Sequence, residues 1–338
     1  MFKYSRAARE RLWTEAARLA RAGEPTADVL IEAARVGNAP SLSADTVGEG
    51  GILSEAVALH PEMFAVGDAE ALAAAERTDR VPEAMSMLAG RAADDWRPGP
   101  LVGGVVFNFV VTLLASCAVI GGLLLFFVMF KEVVFEELDV MLPAFTEATP
   151  VILGFELIML LTVGGTILAI QWLPDWLVRR FPWLGAMQTR VSPLGAVLRF
   201  GLLAVWCDRM DLFRRLGLGM EEAVELSARV AGHPVTERVS ASVVGDMRAG
   251  ASPATAMEAE SFFPDALVWS VYAGQEIGTS DHVWGPAARV YEDEAQARAR
   301  VVLAVARLAL VLAVVLAVLI VFFAIVLPFC FIFNSIGG

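Results

Sequence analysis

The stretch FEELDVMLPAFT, residues 135–146, decides how the chain is read, because it is short and acidic and lies between two long apolar runs. Residues 101–130 contain no charged side chain. At ~1.5 Å per residue a helix of that length reaches about 45 Å, more than the ~30 Å of a bilayer's hydrocarbon core. Past the acidic stretch, residues 151–173 are interrupted only by Glu156. A loop this brief between two such runs reads as a reversal outside a membrane, joining two spans. A third run, residues 308–333, follows Arg307 with no further charge before the C-terminus and is the clearest span of the three.

The excess of apolar residues is local. The 338-residue chain is 57% hydrophobic with a mean hydropathy of +0.62, above the usual level for a soluble domain, yet residues 1–100 and 175–300 are Ala-, Glu- and Arg-rich with helical spacing. The reading is an all-α, polytopic membrane protein with three transmembrane helices and two related cytoplasmic helical bundles. The expected order is a first helical domain at 1–100, a span at 101–130 and an external loop at 131–149. A second span follows at 150–173, a second helical domain at 174–302, a third span at 303–333 and an external tail at 334–338.

Orientation follows from the basic residues that flank the spans. Arg91 and Arg97 precede the first, Arg179, Arg180, Arg190 and Arg199 follow the second, and Arg298, Arg300 and Arg307 precede the third. The first loop holds Lys131 against Glu132, Glu136, Glu137, Asp139 and Glu147. The helical parts and the N-terminus are therefore expected on the cytoplasmic side, with the loop and the C-terminus outside. Trp172, Trp176 and Trp183 gather at the inner end of the second span as interfacial anchors. The first thirty residues are charged throughout, which excludes a cleaved signal peptide. Cys117, Cys207 and Cys330 imply no disulfide framework. The net charge of −12, without a clustered basic surface, argues against a nucleic-acid partner.

The two soluble parts repeat one another. LARAGEPTADVLIEAAR at 19–35 aligns without a gap on FRRLGLGMEEAVELSAR at 213–229, sharing Arg21/Arg215, Gly23/Gly217 and the closing Ala-Arg. GGILSEAVALHPEMF at 50–64 parallels GASPATAMEAESFFPDAL at 250–267, and AERTDRV at 75–81 occupies the place of GQEIGTS at 274–280. Each part is expected to be a small helical bundle.

This layout resembles the type II secretion system protein F family, which includes the inner-membrane platform proteins of type IV pili. The likeness covers nearly the whole chain. Its most specific segment is the opening one: in VMFKEVVFEELDVMLPAFT, residues 128–146, Val128, Phe135, Leu138, Leu142, Pro143 and Thr146 fall in register with the family's post-span pattern, while Met129 replaces an early proline. Phe263 and Pro264 lead to Gly274, Gln275, Glu276 and Gly278, with Gln275 in place of the family's first glutamate. The first domain keeps Glu76 but has Asp79 where the glycine belongs, and Pro328 in AIVLPFCFI resembles the closing segment.

The resemblance implies an inner-membrane platform that binds a separate secretion or pilus ATPase, pilin-like or pseudopilin subunits and other inner-membrane assembly components, and that forms homo-oligomers in the lipid bilayer. Docking of the ATPase is first sought at the turns holding Glu76 and Asp79, and Gln275, Glu276 and Gly278; turns needed only to close the bundles are the alternative.

No catalytic, cofactor or metal site is expected. Neither Lys3 nor Lys131 follows a glycine, so there is no phosphate-binding loop. His60, His233 and His282 are isolated, and no serine stands in a G-x-S-x-G context. Glu156 is the one charge within a span. It either reaches the outer interface or a polar neighbour such as Asn108, or lines an ion path. An oligomeric transporter or channel, and a membrane-anchored adaptor, are the competing readings.

Overall fold

The computed structural model describes residues 6–24, 26–36, 52–60, 64, 65, 67–93, 98–135, 144–171, 175–181, 184 and 194–336. Lys3, Pro61, Arg97, Glu136, Glu137, Leu138, Asp139, Leu142, Pro143, Trp172, Trp183 and Arg190 lie outside these residues. Among the described residues the protein is helical, with no strand. The helices are α1 (Arg6–Arg21), α2 (Thr26–Val36), α3 (Leu53–Ala58), α4 (Asp68–Thr78), α5 (Val81–Ala93), α6 (Pro98–Phe130) and α7 (Ala144–Gln171). They continue with α8 (Asp175–Arg180), α9 (Gly195–Arg215), α10 (Met220–Ala231), α11 (Pro234–Arg248), α12 (Pro253–Glu258), α13 (Asp265–Glu276) and α14 (Trp284–Ile336).

The chain divides into two compact units, Met1–Pro98 with Arg199–Ala295, and Gly99–Leu198 with Gln296–Gly338. The first unit holds two groups of helices, a first lobe from α1 to α5 and a second from α9 to the start of α14. In the first lobe α1 packs on α2 and α5, and α3 packs on α4; in the second α10 packs on α11, and α12 on α13. Each lobe buries a tryptophan from its leading helix against a phenylalanine: Trp13 lies 5.4 Å from Phe64, and Trp206 lies 5.1 Å from Phe263. Trp206 also meets Trp284 edge to face at 5.7 Å and donates its indole N–H to Ser240 Oγ at 3.1 Å.

The turns repeat in backbone detail. After α1, Gly23 adopts φ +80° and the Glu24 N–H bonds to the Leu19 carbonyl at 3.3 Å. After α9, Gly217 adopts φ +88° and the Leu218 N–H bonds to the Phe213 carbonyl at 3.1 Å. Both are left-handed helix terminations that a residue without Cβ adopts freely. Farther on, the Arg80 N–H reaches the Ala75 carbonyl and the Thr279 N–H reaches the Gly274 carbonyl, each at 2.8 Å.

Within this unit the lobes touch near both ends of α4. Gly67, ahead of α4, abuts Val230 near the end of α10; a Cβ on Gly67 would stand 2.7 Å from Val230 Cγ1. At the other end Arg77 pairs with Glu222 at 2.6 Å, and Arg80 Nη1 donates to the Arg215 carbonyl at 2.7 Å.

Among the described residues three helices are long and apolar enough to cross a membrane, and the second unit holds their apolar parts: Leu101–Val134, Ala144–Ala169 and the later part of Ser280–Cys330. Ile120, Phe127, Leu153, Ala317, Val321 and Ala324 form one buried cluster between them, and Val105, Val106, Leu194, Val197 and Ala299 form another. Their outward faces carry exposed Phe107, Leu114, Phe155, Ile158, Leu316 and Phe322, as suits contact with lipid. The first span does not turn sharply at Met129: α6 runs to Phe130 and into a wider helical stretch, Lys131–Phe135.

Candidate functional site

Glu76, sought as a docking residue, is engaged inside its own lobe. One carboxylate oxygen accepts the backbone N–H of Leu53 at 2.5 Å and of Ser54 at 3.3 Å, and the other accepts the Ser54 hydroxyl at 2.6 Å. Ile52 precedes α3 and has no side chain able to cap it. Glu76 supplies that cap from 23 residues away along the chain, satisfying donors that a helix start leaves open. Asp79 terminates α4 with φ +56°, and Gly278 holds the equivalent place after α13 with φ +71°. Gln275 and Glu276 are the last two residues of α13, Gln275 half-buried and Glu276 exposed. Pro264 immediately precedes α13.

Phe135 ends the widened stretch that follows the first span. Thr146 is fully buried and donates its hydroxyl to the Ala324 carbonyl at 3.1 Å. Pro328 lies inside α14. Thr146 and Pro328, far apart in sequence, are thus brought to one place in the second unit.

Glu156 corrects one expectation, the hydrogen bond to Asn108. Because α7 begins at Ala144, Glu156 stands twelve residues in, about 18 Å along the helix. It does not meet Asn108, whose side-chain oxygen accepts from Arg307 Nη2 at 2.6 Å. Asn108 lies one to two turns before Leu113, which packs on Gly164, whereas Leu153 and Leu157, on either side of Glu156, belong to the cluster of Ile120 and Phe127 farther along α6. Glu156 Oε2 is buried with no hydrogen-bond partner among the described residues.

A set of charged groups between the lobes escaped the sequence reading. Arg91 on α5 grips Asp208 on α9 with Nε at 3.0 Å from both carboxylate oxygens, donates Nη2 to the Asp208 carbonyl at 2.8 Å, and lies 3.4 Å from Asp211 Oδ2. Asp211 accepts Arg215 Nε at 2.9 Å. Its Oδ1 also lies 3.0 Å from where a Cβ on Gly285 would be, so the first turn of α14 approaches this carboxylate only because residue 285 lacks a side chain. These groups line a cleft of about 740 Å³ together with Arg209, Arg289 and Glu292. In the sequence, DRMDLFRR at 208–215 carries charges at helical spacing, a pattern that equally describes a solvated face.

Asp68 lies just beneath. It is buried, accepts the Ala65 N–H at 2.9 Å, and burial pushes its carboxyl up to about 6 against the opposing pull of Arg209 and Arg9. Among the described residues no three His, Cys, Asp or Glu side chains are placed to hold a metal ion. The arrangement offers ion pairs, caps and close helix contacts between two lobes, the means of holding surfaces in register.

Residues 206–328 match the family described as type II secretion system (T2SS), protein F. The match runs from the middle of α9 through the second lobe to Pro328 in α14. No curated protein matches the chain.

Proposed function

We propose that this chain, a multi-pass inner-membrane component related to type II secretion and type IV pilus machinery by the protein F domain over residues 206–328, is the platform of such a machine. On this reading the two lobes face the cytoplasm and dock a separate secretion or pilus ATPase. The spans meet pilin-like or pseudopilin subunits in the bilayer, and several copies assemble together. No bond is made or broken by the platform; it transmits movement.

The observation that carries this reading is the matched domain itself, joined without a break to a span. α14 begins at Trp284 in the second lobe and continues to Ile336, 53 residues or about 80 Å, of which a bilayer core requires only ~30 Å. One helix thus belongs both to the lobe and to the membrane bundle.

The test is affinity purification of the full chain from its native membrane in mild detergent, with bound proteins identified by mass spectrometry. Recovery of a hexameric secretion-type ATPase or of pilin-like subunits is the expected result. Recovery of neither, with a solute-binding protein in their place, would favour the transporter reading instead.

A further inference from the structure

We propose that an apolar cleft among the three long helices seats one acyl chain of an anionic phospholipid, whose phosphate is held by Arg300 and Arg307 of α14.

The cleft has a volume of about 390 Å³, and no polar side chain lines it. Val105, Phe109 and Leu113 of α6 form its floor, with Leu160 and Ile167 of α7 on one side and Val302 and Ala306 of α14 on the other. It opens sideways between α7 and α14, where Val163 is 50% exposed, Val301 61% and Val305 62%. Small residues keep the space clear. Ala306 and Ala309 stand among valines and leucines on α14, and Gly164 lets α7 close on α6, since a Cβ there would lie 2.5 Å from Leu113 Cδ2. Packed interiors leave few voids larger than a water molecule, so an apolar gap of this size that opens to the bilayer is one that lipid fills.

Shape selects the occupant. The lining positions run from Val301 to Leu310 on α14 and from Val105 to Leu113 on α6, about 12–14 Å along each helix. A further helix, ~10–12 Å across, would take about 1,000 Å³ or more over that length. The cleft is too narrow to seat one and suits a single flexible hydrocarbon chain.

Charge selects the headgroup. Arg300 and Arg307 are two helical turns apart, so their side chains leave the same side of α14 about 10 Å from one another. Leu303 and Leu310, both lining the cleft, each follow one of these arginines by three residues, which places the arginine stripe along the cleft's border. Both arginines are exposed. Arg307 donates Nη2 to the Asn108 side-chain oxygen at 2.6 Å, and Arg300 Nε reaches the Gln296 carbonyl of its own helix at 3.4 Å. Neither makes an ion pair among the described residues, so most of their N–H donors are left for a ligand. They mark the end at which α14 enters the bundle, because residues 308–338 carry no charge. Arginines at the edge of a span attract anionic headgroups, and the planar guanidinium matches a phosphate. A lipid merely covering the outward faces would need neither the slot nor the arginines.

The spans alone carry this inference, whichever motor or cargo the chain serves. The test uses the full chain, delipidated in detergent and offered phosphatidylglycerol or phosphatidylcholine with matched acyl chains, with bound lipid counted by native mass spectrometry. Wild type is expected to bind one phosphatidylglycerol about tenfold more tightly than phosphatidylcholine. Arg300→Gln with Arg307→Gln is expected to erase that preference, and Ala306→Phe, which fills the cleft, to weaken binding of both lipids about tenfold or more. Equal binding of the two lipids by wild type, or variants that bind as wild type does, would overturn the proposal. A second measurement does not depend on the folding of any variant: phosphatidylglycerol with a diazirine on its acyl chain is photolysed beside the wild-type chain in nanodiscs. Labels are expected within residues 160–167 and 301–310. Labels confined to the outward faces at Phe155, Ile158, Leu316 and Phe322 would mean surface lipid only and would overturn it. Loss of a co-purifying pilin-like subunit from Ala306→Phe, with lipid binding unchanged, would overturn it too, by assigning the cleft to the cargo.

Discussion

Thr146 supplies the hydrogen bond that Pro328 removes. A proline inside a helix leaves the carbonyl four residues earlier without its N–H partner. For Pro328 that carbonyl belongs to Ala324, and the Thr146 hydroxyl donates to it at 3.1 Å from the neighbouring helix, with both Thr146 and Ala324 fully buried. In hydrocarbon there is no water to take over this role. Thr146→Val is therefore expected to destabilise the membrane bundle by about 1 kcal/mol, within the range of interhelical hydrogen bonds in bilayers. Pro328→Ala restores the backbone donor, so adding it to Thr146→Val should recover most of that loss. Unfolding of the four chains by denaturing detergent in mixed micelles measures the coupling; strictly additive losses would show that the two residues act separately.

The capping role of Glu76 makes a different prediction from a docking role. Glu76→Ala leaves the first N–H groups of α3 without an acceptor inside a partly buried corner, which is expected to cost about 1–2 kcal/mol. Amide exchange in residues 53–58 should accelerate, and the melting temperature should fall. Glu276, at the end of α13 in the other lobe, is exposed, and Glu276→Ala should leave the unfolding free energy within about 0.5 kcal/mol of wild type. Equal effects at both positions would contradict the capping assignment.

Much of this architecture is legible in the amino-acid sequence because its causes are local. Apolar runs longer than a bilayer is thick mark the spans, and paired glycines at 23 and 217 mark turns that need positive φ. What stays hidden depends on the fold. Nothing near Glu76 reveals that the start of α3 lies beside it, and Arg91 is separated from Asp208 by 117 residues. Pro150 reads as a helix start, yet α7 begins six residues before it, since a proline early in a helix removes a bond that a neighbour can replace.

Asp68 gives the first unit a pH dependence of known sign. Its folded value is about 6 against an ordinary 3.8, so ionisation is harder in the folded protein than in the unfolded chain. Its contribution to stability is fully present below the ordinary value, falls as pH rises through the interval, and is lost above about 6. Asp68→Asn keeps an acceptor for the Ala65 N–H and removes the titration. Relative to wild type, the variant should therefore gain on the order of 2 kcal/mol between pH 4 and pH 7.5. Parallel stability curves across that range would mean that Asp68 ionises alike in both states.

The matched turns at 75–80 and 274–279 bear opposite substitutions. At Gly274 an added Cβ would stand 2.8 Å from Val283 Cγ2 and 3.1 Å from the Ser280 Cα, and backbone yields less readily than a side-chain tip. Gly274→Ala is expected to cost about 1–3 kcal/mol, although Ala75 occupies the same register in the first lobe without difficulty. At Asp79 the strain is in the backbone instead. Its φ of +56° is one that glycine adopts freely, so Asp79→Gly should stabilise the first lobe by about 0.5–1 kcal/mol, and Gly278→Ala should destabilise the second by a similar amount. Thermal unfolding of the three variants checks all of this in one series. Should Asp79→Gly prove destabilising while Gly278→Ala is neutral, the two turns would not share the left-handed conformation on which their alignment depends.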